Sequence, residues 1–180
     1  MIYNPEIHHR RSIRLKEYDY SQQGLYFITI CTKDRLCFFG RIENEEMILN
    51  QSGQIANKCI LAIPDHFPQT RLHQFIVMPN HVHFIVEFVD VGANNYSPLQ
   101  DQRRPHGTSK TIGSIVGGFK IGVTKWFREY SDIRTVWQRN YYENVIRDAK
   151  SFVQKSEYIQ YNALKWKEDR YFVKNNDLGE

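Results

Sequence analysis

Two histidines, His81 and His83, flank a single residue in a stretch that is otherwise apolar. Alternate residues of a β-strand point to the same face, so two imidazoles in this spacing can share one metal ion. The apolar residues of the stretch would then point to the other face and enter the core; they are Val82, Phe84, Val86 and Phe88. Histidines that simply pack at a strand edge have the same pattern, so the pair predicts a metal site only when further groups join it.

Tyr158 and Asn162 supply such groups from the last predicted helix. At about 100° per residue this helix has an apolar stripe, formed by Phe152, Ser156, Ile159 and Ala163. Tyr158 and Asn162 are four residues apart and share a different face, beside Lys155. A solvent-facing tyrosine next to a polar residue is the simpler interpretation of this helix alone.

Together, these residues predict phosphoryl chemistry on DNA. A divalent ion bound by His81, His83 and the side-chain oxygen of Asn162 would keep positions open for phosphate oxygens. Tyr158 would then attack phosphorus and hold one DNA end covalently. Tyr141 and Tyr142 are rival nucleophiles, although aromatic residues beside a strand more often pack or stack on bases.

The elements that must position these residues follow from the periodicity of the chain. We expect a strand over residues 25–32, a helix over 46–63, a hairpin of 72–78 and 82–89, and a helix over 111–130. An extended segment over 136–146 and a helix from its cap at Asp148 to about residue 164 complete the series. This order predicts an α+β, ferredoxin-like sandwich, in which helices cover one face of an antiparallel sheet.

Length and composition predict one folded domain over residues 1–180, with a basic arm at 1–20, an exposed loop at 90–110 and a tail at 167–180. Three cysteines without a CxxC spacing indicate neither a disulfide framework nor a zinc site, as expected in a reducing cytoplasm. No segment reaches the ~20 apolar residues of a membrane span, and no secretion signal is evident. A nucleoid-associated protein, either a monomer or a homodimer, is the expectation.

The formal net charge of +4 is compatible with a polyanionic partner. Candidate DNA contacts are Arg10, Arg11, Arg14 and Lys16 in the arm, Arg103, Arg104 and Lys110 in the loop, and Arg139 and Lys155 farther along. A solvated basic arm without a partner is the alternative. Trp137 fits a DNA contact or a core anchor equally well.

Several motifs carry a resemblance to a known family. Residues 78–84, Met-Pro-Asn-His-Val-His-Phe, resemble the HUH motif of single-tyrosine transposases. Residues 11–15, 26–32, 136–139, 145–148 and 158–162 together resemble the branch called REP-associated tyrosine transposases, also described as IS200-like. The likeness extends from about residue 10 to residue 166. One departure is Ala163, where the branch usually has proline after the asparagine.

The resemblance implies a ferredoxin-like fold, dependence on Mg²⁺ or Mn²⁺, and cleavage of single-stranded DNA near hairpin-forming palindromes through a 5′-phosphotyrosine. By motif position, His81 and His83 are metal ligands, Asn162 is the third ligand and Tyr158 is the nucleophile. Three alternatives remain: a non-catalytic or domesticated nucleic-acid-binding protein of the same fold, a zinc hydrolase with a distant third ligand, and a rolling-circle replication initiator. The absence of HExxH disfavours the hydrolase, and the flanking motifs disfavour the initiator.

Overall fold

The computed structural model describes residues 24–89 and 111–173. The strands are β1 (Gly24–Cys31), β2 (Gly40–Glu43), β3 (Glu46–Leu49), β4 (Thr70–Met78), β5 (His81–Phe88) and β6 (Tyr142–Ile146). The α-helices are α1 (Gln51–Leu61), α2 (Ile63–His66), α3 (Ile112–Tyr130) and α4 (Ala149–Gln160). The predicted arm at 1–20 and the predicted loop at 90–110 lie outside the described residues.

Four of the strands form one antiparallel sheet in the order β4-β5-β1-β6. The hairpin of β4 and β5 turns at residues 79 and 80, as predicted, and β1 and β6 are also close to their predicted positions. The α+β class and the antiparallel sheet are therefore confirmed. Because β5 lies between β4 and β1, both of its histidines are in the interior of the sheet.

Alternation along the strands divides the sheet into two faces. In β1 and β5, even-numbered residues such as Ile28 and Phe84 pack with α1 and α3 in the main core. Odd-numbered residues such as Phe27 and Ile85 pack against Ile159 of α4. The expectation that helices cover one face is correct for α1 and α3, whereas α4 covers the opposite face. The physical reason is that Phe27 and Ile85 would otherwise expose apolar surface to water.

The first predicted helix is too long at its start, because residues 46–49 form strand β3. Asn44 and Glu45 have φ angles of 49° and 67°, as a two-residue hairpin turn of type I′ requires, and they join β2 to β3. The helix begins only after Asn50, whose side chain accepts a hydrogen bond from the Gly53 amide at 2.9 Å. A Cβ at Gly53 would lie 2.1 Å from the Phe39 carbonyl oxygen, so only glycine fits there.

The last helix has the predicted start and an earlier end. Asp148 caps α4 by accepting a hydrogen bond from the Ser151 amide at 2.7 Å. The helix stops at Gln160, and Asn162 lies in the turn that follows. Residues 167–173, which we placed in a tail, instead turn back onto the sheet, and Tyr171 is buried there.

Among the residues that the structure describes, no helix combines the length and the apolar character needed to cross a bilayer.

Candidate active site

His81 and His83 lie side by side on the face of the sheet that carries α4. Their ring centroids are 4.5 Å apart, and both side chains are buried. Their positions follow from the strand: residues 81 and 83 share one face of β5, and neighbouring strands flank them on both sides. The predicted common surface for the two imidazoles is therefore present in the structure.

The δ nitrogens of both histidines have polar partners. The His81 Nδ1 is 2.8 Å from the Asn80 side-chain oxygen. The Asn80 amide nitrogen donates to the carbonyls of Arg35 and Tyr171, so its oxygen must be the acceptor for His81. The His83 Nδ1 is 2.8 Å from the Thr29 hydroxyl, which lies opposite His83 in the sheet register. Such partners fix ring orientation in metal-binding histidines.

The ε nitrogens have no such partners. The Nε2 atoms of His81 and His83 are buried and have no hydrogen-bond partner among the described residues, and the same is true of the side-chain oxygen of Asn162. Asn162 is close enough to His81 to affect its pKa. An unsatisfied buried polar atom costs about 1–3 kcal/mol, so three of them together favour a bound ion, ligand or water at this point.

Burial keeps both imidazoles neutral. It lowers the pKa of His81 to about 4, while the negative charge of Asp169 and the nearby Asn162 act in the opposite direction. Burial also lowers the pKa of His83, and the neighbouring His81 lowers it further. Neutral imidazoles have the free lone pairs that bind metal ions.

Tyr158 and Asp169 meet beside the histidines. The Tyr158 ring lies 5.1 Å from the His83 ring, and its hydroxyl donates a hydrogen bond to the Asp169 Oδ2 at 2.9 Å. Burial raises the pKa of Tyr158, and the charge and hydrogen bond of Asp169 raise it further, so the phenol is protonated. The side chain is nevertheless 39% exposed. The phenol can therefore meet a ligand from solvent.

The residues present fit a metal ion. Ligand atoms of His81, His83 and Asp169 all lie within 4.8 Å of one another, so this group could hold one. The three unpartnered atoms, two imidazole nitrogens and one amide oxygen, are also of types that bind metal ions.

The two rival tyrosines lie on opposite faces of the sheet. Tyr141 packs against the main core, on the other side of the sheet from the site. Tyr142 lies opposite Thr29 in the register, on the same face as the histidines, and is 47% exposed. Its described ring contact is with the Arg170 guanidinium, 5.3 Å from the ring centroid.

Of the predicted DNA contacts, the structure describes only Arg139 and Lys155. Lys155 lies near the site, with its Nζ 4.8 Å from the Phe27 ring centroid and its charge affecting the pKa of His83. Arg139 is exposed in the segment before β6. Trp137 is buried against Phe39 and Phe119, so it anchors the core. The remaining predicted contacts, Arg10, Arg11, Arg14, Lys16, Arg103, Arg104 and Lys110, lie outside the described residues.

Two known proteins resemble this chain in sequence. No family model matches the chain. A protein of Haemophilus influenzae named only "Uncharacterized protein" is 52% identical over 175 residues, which cover 95% of this chain and 97% of that protein. A second Haemophilus influenzae protein, provisionally named a REP-associated tyrosine transposase, is 24% identical over 153 residues, covering 82% of this chain and 74% of that protein.

The fold of this chain resembles that of a solved protein with the same family name as the second relative. The solved structure of a REP-associated tyrosine transposase bound to a REP hairpin matches with a TM-score of 0.57, covering 94% of this chain and 93% of that chain. This chain is thus similar to REP-associated tyrosine transposases both in sequence and in fold. At 16% identity, the structural likeness itself shows the fold alone. The α+β fold is as predicted, and the likeness to REP-associated tyrosine transposases agrees with the sequence motifs.

Sequence reasoning missed several residues of the candidate site. Asp169 and Arg170 belong to a charged run at residues 165–170 that is typical of a solvated surface. Thr29 carries no signal of its own in a strand of β-branched residues. The sequence indicated Asn80 only as a turn residue, although its position next to His81 could have suggested a hydrogen bond to that imidazole.

Proposed function

We propose that this protein cleaves and rejoins single-stranded DNA through a covalent bond to Tyr158, with the help of a divalent metal ion. One observation carries the proposal: the Tyr158 phenol stands beside three buried and unpartnered ligand atoms, those of His81, His83 and Asn162. Neither a purely structural histidine pair nor a simple DNA-binding surface requires that combination.

The metal-binding residues in this proposal are His81, His83 and Asn162, with Mg²⁺ or Mn²⁺ as the ion. When bound, the ion would polarise the scissile phosphate and offset the negative charge of the transition state. Asn80 and Thr29 contact the Nδ1 atoms of the two imidazoles, so each Nε2 is available to the ion in this proposal. Two imidazole ligands suit Mn²⁺ better than Mg²⁺, which prefers oxygen.

In the reaction that we propose, the Tyr158 oxygen attacks phosphorus and the bond between phosphorus and the 3′ oxygen breaks. A 5′-phosphotyrosine and a free 3′-hydroxyl result. The phenolic proton passes to the Asp169 Oδ2, which already accepts its hydrogen bond, and the leaving oxygen takes a proton from water. Attack by a 3′-hydroxyl on the phosphotyrosine reverses these steps and rejoins DNA.

A cleft of about 530 Å³ provides access to the phenol. It is lined by residues of α4 and of the following turns, including Tyr158, Asn162, Lys165 and Asp169. Arg170 adds a guanidinium near Tyr158 and Tyr142. We propose that hairpin-forming single-stranded DNA enters here, since a solved relative is bound to a REP hairpin. In this proposal the whole chain acts as one domain on chromosomal DNA in the cytoplasm.

The test is covalent capture. The protein is incubated with end-labelled DNA hairpins, taken from palindromes near its gene, and with Mn²⁺ or Mg²⁺. We expect a protein–DNA adduct that survives denaturant, is absent from Tyr158→Phe, and persists in the matched control Tyr142→Phe. Both variants remove only one hydroxyl. An adduct that survives in Tyr158→Phe and disappears in Tyr142→Phe would assign the nucleophile to Tyr142 instead.

Failure of the wild-type protein to form an adduct, while it still binds these hairpins and the metal ion, would favour the non-catalytic nucleic-acid-binding alternative.

A further inference from the structure

Asp169 makes more hydrogen bonds at the site than any role as proton acceptor needs. Its Oδ2 accepts from the Tyr158 hydroxyl and from the Asn162 amide nitrogen, each at 2.9 Å. Its Oδ1 accepts from the Tyr171 backbone amide at 2.7 Å. The carboxylate is thereby fixed at both oxygens, by groups from α4, from the turn after it and from its own loop.

The bond to Asn162 decides which way that amide points. An asparagine side chain has an oxygen and a nitrogen of nearly equal shape, and only its partners distinguish the two orientations. A carboxylate accepts hydrogen bonds and cannot donate them, so Asp169 attracts the nitrogen. The Asn162 oxygen is then directed away from Asp169, and it is the atom that is buried without a partner.

Asp169 is a weaker candidate for a metal ligand than its position suggests. Both of its oxygens are already engaged by the Tyr158, Asn162 and Tyr171 donors, whereas the Asn162 oxygen and the two histidine Nε2 atoms have no partner among the described residues. If the Asn162 amide were turned over, its N–H groups would point toward the ion, and their partial positive charge would repel it.

We propose that Asp169 is a positioning residue, which fixes the Asn162 amide so that its oxygen faces His81 and His83 and binds the metal ion. This inference rests on the metal site of the proposed function. It assigns a role to a residue that never needs to touch the ion. Its closest test is therefore metal affinity without DNA.

The experiment is a double-mutant cycle on Mn²⁺ affinity, measured by titration calorimetry. In Asp169→Asn, the new amide keeps its oxygen for the Tyr171 N–H and presents its nitrogen to Asn162, which must turn its own oxygen toward it. We expect Mn²⁺ affinity to fall by about 10- to 100-fold. In an Asn162→Ala background the same substitution should change affinity less than about twofold. Equal losses in both backgrounds would show that Asp169 acts on the ion without Asn162, by direct binding or through its charge, and would overturn the proposal.

A reciprocal exchange provides the rescue. In Asn162→Asp with Asp169→Asn, the amide at 169 donates to the carboxylate at 162, and the second carboxylate oxygen faces the histidines. We expect this protein to bind Mn²⁺ at least as tightly as the wild type. Affinity as low as that of Asp169→Asn alone would contradict the proposed hydrogen bond.

A metal-free readout separates this inference from the proposed function. The side-chain amide signals of Asn162 in ¹⁵N NMR spectra, identified by their loss in Asn162→Ala, should shift in Asp169→Asn. They should not shift in the control Glu168→Gln, which removes the neighbouring exposed carboxylate. Unshifted signals in Asp169→Asn would overturn the inference even if the protein cleaves DNA. Shifted signals in a protein that never forms an adduct would support the inference and not the function.

Discussion

The ring centroids of His83 and Tyr158 lie 5.1 Å apart, although His83 belongs to an internal strand of the sheet and Tyr158 to helix α4. The helix is held in place by apolar contacts of Ile159 with Phe27 and Ile85. Ile159, the neighbour of the proposed nucleophile Tyr158, thus holds the helix against the sheet. Packing and chemistry are coupled through adjacent positions of α4.

Ile159→Ala should therefore weaken both stability and adduct formation. Removing a buried isoleucine typically costs about 2–5 kcal/mol, and here the loss also loosens α4 over the histidines. The control is Val153→Ala on the same helix, because Val153 is 51% exposed. Urea denaturation and adduct yield are the measurements. Equal stability of the two variants would mean that Ile159 does not anchor the helix.

Metal binding should depend on His81 and should favour Mn²⁺. We expect the wild-type protein to bind Mn²⁺ more tightly than Mg²⁺, because two imidazoles are among the ligands. His81→Ala should lower Mn²⁺ affinity at least about tenfold and abolish the adduct. His66→Ala, which changes an exposed histidine, is the control. Calorimetry measures affinity, and full activity in the presence of a strong chelator would contradict metal dependence.

Arg170 should contribute a phosphate contact. Its guanidinium lies 4.5 Å from the Tyr171 ring centroid and 5.3 Å from that of Tyr142, and among the described residues it has no carboxylate in ion-pair contact. Arg170→Gln should weaken binding of single-stranded hairpins and reduce the salt-dependence slope by about 0.7.

The matched control for this prediction is Arg71→Gln. Arg71 pairs with Glu87, six residues along β5 from His81, or about 20 Å away. Fluorescence anisotropy at several salt concentrations gives both slopes. If the two variants have the same slope as the wild type, Arg170 makes no phosphate contact.

The stability of the metal-free protein should fall in mild acid. Histidines in an unfolded chain have a pKa near 6.5, whereas burial lowers the pKa of folded His81 to about 4 and also lowers that of His83. Below pH 6.5 the unfolded chain thus binds protons that the folded chain does not. Stability is full above that pH and decreases toward pH 4, by up to about 1.4 kcal/mol per pH unit for each histidine.

Urea midpoints at pH 7 and pH 5, with a chelator present, test this pH dependence. His81→Gln should reduce the loss between the two pH values, and His66→Gln should leave it unchanged. An identical loss in wild type and His81→Gln would show that this histidine is not held neutral by the fold.

The parts of the site that could be predicted from sequence are those that depend on spacing. His81 and His83 share a face because strands have a period of two, and Tyr158 and Asn162 lie near each other because helical turns bring residues four apart together. Asp169 could not be found this way. It reaches the site through a turn and a short 3₁₀ segment at Trp166–Glu168, which have no period to extrapolate.

The fold was predictable to a similar depth. Alternating and helical patterns gave the main sheet and the long helices, but residues 46–49 joined a helical pattern that in fact starts at Gln51. Short amphipathic segments fit both periods, and the turn at Asn44 and Glu45 decides between them through its positive φ angles. The position of α4 on the second face depends on tertiary packing, which periodicity along the chain does not report.

The three unpartnered ligand atoms and the phenol beside them all belong to one polypeptide. Two differently damaged copies should therefore be unable to complement each other. A mixture of His81→Ala and Tyr158→Phe proteins is expected to form no adduct at any ratio, because each chain still lacks one of its own parts. A cell that carries two such defective alleles would then lack the proposed strand cleavage completely, and only recombination between the alleles could restore it.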